Sequence, residues 1–352
     1  MDFDDGADGV VATVVIDSYS GAPKSERYRH HLQQSAADLV GLARRLGFRA
    51  TPMDLCGSNE ERGTRDAIIE GFRALARHPA TRKIVYWTGH GRVIGKNEEE
   101  FVLVLSGSYR DGSVRPELAF NVRDLAHLVS ELPGDVLLIL DACFAAAALD
   151  KVTRVIRSVG RPVDERGRRA GLVVVATAED HAAEGEWVRK LKEVVDDPRR
   201  FVEEKPLFPR TEKYVMLSDL LYALSEHMGH MRGLQVQVPQ EIYPLSHTFL
   251  RNPYFSDSVR RAVRPEGDES WIGDELRHNV MRPFSGSSDR WAIRHFTGRT
   301  ASLRRIVNWL GTRSRGMFVV TGPSGSGKSA LLSYVAHLTI PGKVDVAGAS
   351  LF

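Results

Sequence analysis

Cysteine is scarce in this chain of 352 residues, which has two, Cys56 and Cys143. Two cysteines cannot build a disulfide framework, and without a Cys-x-x-Cys pair they offer zinc no recognisable ligand spacing. A thiol-poor chain of this kind fits a reducing compartment, so a cytoplasmic location is expected. Long apolar runs are missing too. None approaches the roughly 18 residues needed to cross a bilayer, and the acidic start Met1-Asp2-Phe3-Asp4-Asp5 lacks the basic-then-apolar order of a secretory signal. No membrane partner is expected. Charge of one sign is also lacking: 48 Lys and Arg against 45 Asp and Glu leave +3, which gives no reason to expect a nucleic-acid partner. There is no internal repeat and no low-complexity tract.

What is present suffices for a folded protein. The length suggests about two domains, and 42% hydrophobic residues can cover a sizeable core. The first half alternates short β-rich apolar runs with longer amphipathic segments, the pattern of a mostly parallel sheet with crossover helices. The expected strands are 10–16, 48–55, 83–87, 136–140 and 172–177, with 101–105 as a hairpin partner of the third. The expected helices are 28–46, 64–77, 122–131 and 145–159, the first on the helical spacing of Leu32, Ala36, Leu39, Val40, Ala43 and Leu46. Beyond Ala178 charges accumulate and the segment reads as a surface excursion. Order returns with a helix at 217–227 and a strand at 235–238. The polar stretch 256–290 reads as a linker or docking segment. The expected domains are therefore 1–255 and 291–352 on either side of it.

In an open parallel sheet, functional groups gather beyond the carboxyl ends of the strands. Three apolar runs end in residues of catalytic type: Ile16 is followed by Asp17, Trp87 by Thr88-Gly89-His90-Gly91, and Leu140 by Asp141-Ala142-Cys143. A thiolate is a strong nucleophile, and an imidazole beside it takes the thiol proton and returns it to a leaving amine. Small neighbours admit a substrate backbone, and the Gly91 and Cys143 amides are candidate donors to an oxyanion. A lone cysteine after an apolar run is also an ordinary core residue.

The strand–helix order, with Tyr86-Trp87-Thr88-Gly89-His90-Gly91, Leu137-Leu138-Ile139-Leu140-Asp141-Ala142-Cys143 and Ala176-Thr177-Ala178-Glu179-Asp180, resembles the caspase-like cysteine peptidases, in particular their metacaspase-like bacterial branch. The resemblance spans residues 10–254. It implies a three-layer αβα sandwich, His90 as base, Cys143 as nucleophile, and no cofactor for the dyad. The Gln-Ala-Cys-Arg-Gly signature of animal caspases is replaced by Asp141-Ala142-Cys143-Phe144-Ala145. The metacaspase-like pattern makes Asp141 the anion that receives a substrate Arg or Lys. Asp17 is a second choice, with a turn-capping role as its alternative, and Thr88 lines the same pocket. The expected partner is thus a protein or peptide with a basic residue before the scissile bond. Basic residues between 188 and 213, including Arg189, Lys190, Lys192, Arg199, Arg200 and Arg210, are candidate self-cleavage points or a solvated face. Glu98, Glu99 and Glu100 match no calcium-loop spacing, so calcium is not expected.

A second motif is more specific. Gly322-Pro323-Ser324-Gly325-Ser326-Gly327-Lys328-Ser329 satisfies the phosphate-loop pattern. Gly322, Ser324, Gly325, Ser326 and Gly327 would surround the phosphates of ATP with backbone N–H groups, Lys328 would neutralise them, and Ser329 would hold Mg²⁺. Upstream, His295-Phe296-Thr297-Gly298-Arg299 and Leu303-Arg304-Arg305-Ile306 resemble the leading segment of the STAND signal-transducing ATPases. No second acidic strand motif follows, so 291–352 is expected to be the first part of a P-loop NTPase within a longer protein. The family architecture implies a peptidase effector under nucleotide control, self-association through the NTPase part, and a role in antiphage or cell-death signalling. A non-catalytic caspase-like adaptor on the same switch is the alternative.

Overall fold

The structure, a computed structural model, describes residues 9–24, 29–57, 62–94, 100–163, 169–176, 185–202, 205–228, 240–243 and 245–263, with isolated positions between 302 and 335. The chain divides into two compact units, Met1–Arg260 and Arg261–Phe352.

In chain order the first unit contains β1 (Gly9–Val15), α1 (His31–Arg45), β2 (Met53–Asp54), α2 (Arg65–Arg77), β3 (Arg82–Thr88), β4 (Gly91–Ile94), β5 (Glu100–Leu103), β6 (Tyr109–Arg110) and β7 (Ser113–Val114). It continues with β8 (Phe120–Asn121), α3 (Val122–Glu131), β9 (Asp135–Asp141), α4 (Ala146–Val159), β10 (Leu172–Ala176) and α5 (Glu186–Asp196). Then follow β11 (Phe201–Val202), β12 (Lys205–Pro206), β13 (Tyr214–Val215), α6 (Leu217–Met228), β14 (Gln240–Tyr243) and β15 (Leu250–Arg251), and α7 (Asp257–Val263) begins before Arg260 and ends past it.

A six-stranded sheet with order β14-β10-β9-β3-β1-β2 forms the middle layer. All pairings in it are parallel except the one between β10 and β14. Strands β1, β3, β9 and β10 are buried on both faces, which is why they read as unbroken apolar runs. Val10, Val85, Trp87, Leu138 and Leu140 pack on one face with α2, α3 and α4. Val11, Ile84, Tyr86, Leu137 and Ile139 pack on the other with α1, α5 and α6. Each fully buried aliphatic side chain contributes about 1.5–3 kcal/mol, and the two clusters make this α/β sandwich a three-layer structure. Helix starts are set locally: Thr64 Oγ1 accepts the Ala67 N–H of α2, and Asn121 Oδ1 accepts the Arg123 N–H of α3.

Several expectations need correction. The charged stretch after Ala178 is no surface excursion from Glu186 on, because α5 buries Trp187, Val188, Leu191, Val194 and Val195. Those positions recur at helical spacing, and the charges occupy the other face. Arg189, Lys190 and Lys192 accordingly sit on a packed helix. The expected strand 48–55 shrinks to Met53–Asp54, since Pro52 brings no N–H to a ladder. Residues 101–103 pair with β4 rather than with the central strand β3. Helix α7 occupies the beginning of the expected linker. The expected strand at 235–238 lies outside the described residues.

Candidate active site

Parallel pairing puts three chain segments in register at the carboxyl edge of the sheet. Val15 aligns with Thr88, and Thr88 with Asp141. Asp17, His90 and Cys143 therefore each lie two residues beyond one row that crosses β1, β3 and β9, and adjacent strands are about 4.8 Å apart. With strand order β2-β1-β3, the chain reverses its direction of growth between β1 and β3, so the row sits beside a topological switch point.

The turn holding His90 is packed directly on the turn holding Cys143. A Cβ on Gly91 would collide with the Cys143 carbonyl oxygen and come within 2.7 Å of the Phe101 ring. Gly89 has φ +148°, and a Cβ there would stand 2.8 Å from Tyr19 Oη. His90 is 5% exposed, whereas Cys143 is partly open to solvent. The next residue, Phe144, has φ +59°, a left-handed conformation costing about 1–2 kcal/mol for a residue with a side chain. It turns the chain sharply between β9 and α4, and helix α4 begins three residues after Cys143, its positive dipole end toward this turn.

The His90 carbonyl accepts the Val104 N–H at 2.9 Å. Residues 90 and 92 thus carry the β4–β5 hydrogen bonds. Gly91 opposite Leu103 is a non-hydrogen-bonded pair, its N–H directed away from β5.

The polar residues around His90 and Cys143 divide by their partners. Asp141 is 1% exposed. Its Oδ2 accepts the Tyr86 hydroxyl at 2.6 Å and the Gly185 N–H at 3.1 Å. Gly185 is the N-cap of α5, so this carboxylate helps seat that helix. Thr88 is fully buried beside it in the sheet, and its Oγ1 has no hydrogen-bond partner among the described residues. Asp17 accepts the Gln33 amide at 2.9 Å through Oδ2 and the Arg29 N–H at 2.7 Å through its carbonyl. Glu100 accepts the Asn121 amide at 2.7 Å, while Glu98 and Glu99 lie outside the described residues.

Sequence reading missed Tyr19. Its ring stacks on the His90 imidazole with centroids 4.4 Å apart and planes at 26°. The one signal available was its place two residues after Asp17, at the end of the same apolar run.

Cys56 shows what an unreactive thiol looks like in the same molecule. It is fully buried, its Sγ accepts the Val15 N–H at 3.2 Å, and burial, reinforced by Asp54, pushes its pKa up to about 12.

Of the phosphate loop, Gly322, Ser324, Gly325, Ser326, Gly327 and Ser329 lie outside the described residues, and Lys328 is helical. Among the described residues, no helix is long and apolar enough to cross a membrane.

No protein-family model matches the chain, and no curated protein sequence matches it. Among solved structures, the chain is similar to a protein of Geobacter sulfurreducens at 12% identity and TM-score 0.40, covering 70% of this chain and 98% of that one. It is similar to the Drosophila initiator caspase Dronc at 15% identity and TM-score 0.42, over 71% of this chain and 85% of that one. Caspase-1 from Spodoptera frugiperda gives 12% identity and TM-score 0.41, over 67% and 88% of the two chains.

Proposed function

We propose that the first unit is a caspase-like cysteine endopeptidase in which His90 is the base and Cys143 the nucleophile. The observation that supports this reading is the register: with Thr88 opposite Asp141, His90 and Cys143 each follow two residues past the same row on adjacent strands, and Gly91 is packed on the Cys143 carbonyl. In the first step His90 takes the Cys143 thiol proton and the sulfur attacks the scissile carbonyl carbon. The resulting oxyanion is held by the Gly91 and Cys143 N–H groups. His90 then protonates the departing amine as the C–N bond breaks and a thioester forms. Water, deprotonated by His90, hydrolyses the thioester, and the proton returns to the thiol.

Asp141 and Thr88 give this site its specificity for Arg or Lys in the proposal. A buried carboxylate beside a hydroxyl that has no partner among the described residues is suited to a guanidinium or ammonium, which brings several donors to the acceptors of both groups. Asp141 would then serve twice, as a seat for α5 and as the anchor of the substrate cation.

The proposal extends to control. Gly322–Ser329 would bind ATP with Mg²⁺ on Ser329, and the nucleotide state of the second unit would set peptidase activity in signalling that includes antiphage or cell-death responses. The support here is the sequence motif.

A panel of arginyl, lysyl and aspartyl peptides, with a covalent thiol-directed probe, tests the reading on the wild type, Cys143→Ala and His90→Ala. Cleavage after basic residues, lost in both variants by about a thousandfold or more, is expected. Undiminished cleavage by Cys143→Ala, or cleavage of aspartyl peptides alone, overturns it.

A further inference from the structure

We infer that Tyr19 is the positioning residue of the dyad, fixing the His90 imidazole for its work on Cys143; this rests on the peptidase reading above. Tyr19 is 1% exposed and lies in the turn after β1. Its hydroxyl donates to the Ile16 carbonyl at 2.7 Å and accepts the His90 N–H at 2.7 Å. The Ile16 N–H in turn donates to the Thr88 carbonyl at 3.1 Å. Ile16, Tyr19, His90 and Thr88 thus form a closed circuit joining the ends of β1 and β3 through one phenol. The Val104 N–H on the His90 carbonyl completes the set, so both backbone polar groups of His90 are held.

The phenol ring does a second task. Stacked on the imidazole, it covers one face and leaves the ring nitrogens at the edge, where a thiol or a leaving amine must meet them. Tyr109 abuts Tyr19 edge-on, with centroids 6.1 Å apart at 74°, and backs the phenol itself. Gly89 makes this contact possible, since any Cβ there would crowd the hydroxyl. A general base has to remain within hydrogen-bond reach of the proton it moves. Its backbone here leaves a sheet through a glycine, and Tyr19 supplies the rigidity that the glycine lacks. Tyr19 acts through His90, and the reacting atoms are left to the dyad.

The test uses the full chain with Tyr19→Phe and Tyr19→Leu. Three quantities are read: kcat and KM on a cleaved peptide, the rate of Cys143 alkylation by iodoacetamide, and the NMR resonances of the His90 ring. Tyr19→Phe keeps the stack and loses the hydroxyl bridge, so kcat and the alkylation rate should fall about tenfold with KM unchanged. Tyr19→Leu should lower both on the order of a hundredfold, and the His90 ring protons should lose the displacement that a stacked phenol imposes. If Tyr19→Leu does not fold, Tyr19→Phe decides alone. Wild-type kcat and alkylation rate in a folded variant overturn the inference, as does a loss confined to KM. A wild type that cleaves no peptide, yet whose Cys143 alkylation still drops in both variants, overturns the peptidase reading and sustains the Tyr19 role.

Discussion

Strands β3 and β9 run side by side from Arg82 opposite Asp135 to Thr88 opposite Asp141, and their two ends use polar residues in opposite ways. At the amino end, charge is spent on backbone. Lys83, fully buried, donates to the Ala80 carbonyl and, at 2.8 Å, to that of Pro133. Arg161 donates to the carbonyls of Val129, Ser130, Gly134 and Gly171. Asp135 accepts the Gly171 N–H at 2.8 Å and the Ser246 N–H at 2.7 Å. The Lys83 and Asp135 contacts tie loops to the sheet, and those of Arg161 join its own loop to α3 and to the loops before β9 and β10.

At the carboxyl end, the same strands lead into a left-handed Phe144 and a half-open cysteine, and Thr88 Oγ1 has no hydrogen-bond partner among the described residues, as Arg161 Nε has none at the amino end. Buried polar groups are ordinarily satisfied, and strain persists where the surroundings enforce it. One end of the strand pair is thus tied down by charged side chains, and the other carries a strained turn and a half-open thiol, where the proposed reactive site would lie. If that division is right, substitutions at the two ends should separate stability from activity.

The largest effect is expected from Gly91→Ala. The added methyl has no space between the Cys143 carbonyl and Phe101, so the two turns must part. Peptide cleavage and Cys143 alkylation should drop on the order of a hundredfold or more, while the urea midpoint moves far less; an active Gly91→Ala would show that the turns are not packed as described.

Arg161→Ala should do the reverse. It strands several buried carbonyls, costing about 2 kcal/mol of unfolding free energy, and leaves kcat of the folded fraction unchanged. A loss of kcat at full stability would break the division between the ends.

The smallest effect concerns pH. Burial, with Arg161 adding to it, pushes the Lys83 ammonium down to about 8. Below pH 8 the folded and unfolded chains both hold the proton. Between pH 8 and the ordinary lysine value near about 10.4, the unfolded chain binds it and the folded chain does not, so stability rises with pH there. Unfolding free energies measured in urea at pH 8, 9 and 10 should show the wild type gaining about 1 kcal/mol per pH unit over Lys83→Met. A flat difference would mean that Lys83 keeps its proton when folded.

Much of the first unit was legible in its amino acids. Buried parallel strands announce themselves as apolar runs such as Val136–Leu140, and amphipathic helices such as α3 by their spacing. The candidate dyad was legible for the same reason, since polar residues directly after such runs must emerge at the strand ends. Helix α5 was misread because Arg189, Lys190, Lys192 and Glu193 outweighed an apolar stripe that only becomes a face once the segment coils. Tyr19 was passed over because nothing local marks it: its partner His90 is 71 residues away in sequence.

By itself the sequence determined the α/β class, the candidacy of His90 and Cys143, and the phosphate-loop motif at Gly322–Ser329, because each depends on residue type and short-range order. Tertiary structure decided what those residues touch. It aligned Thr88 with Asp141, gave Asp141 to Tyr86 and the start of α5, closed Tyr19 onto His90, and withdrew Cys56 from chemistry while leaving Cys143 partly open. Register between distant strands and burial against distant helices are set by the whole core, so the local chain could carry no trace of them.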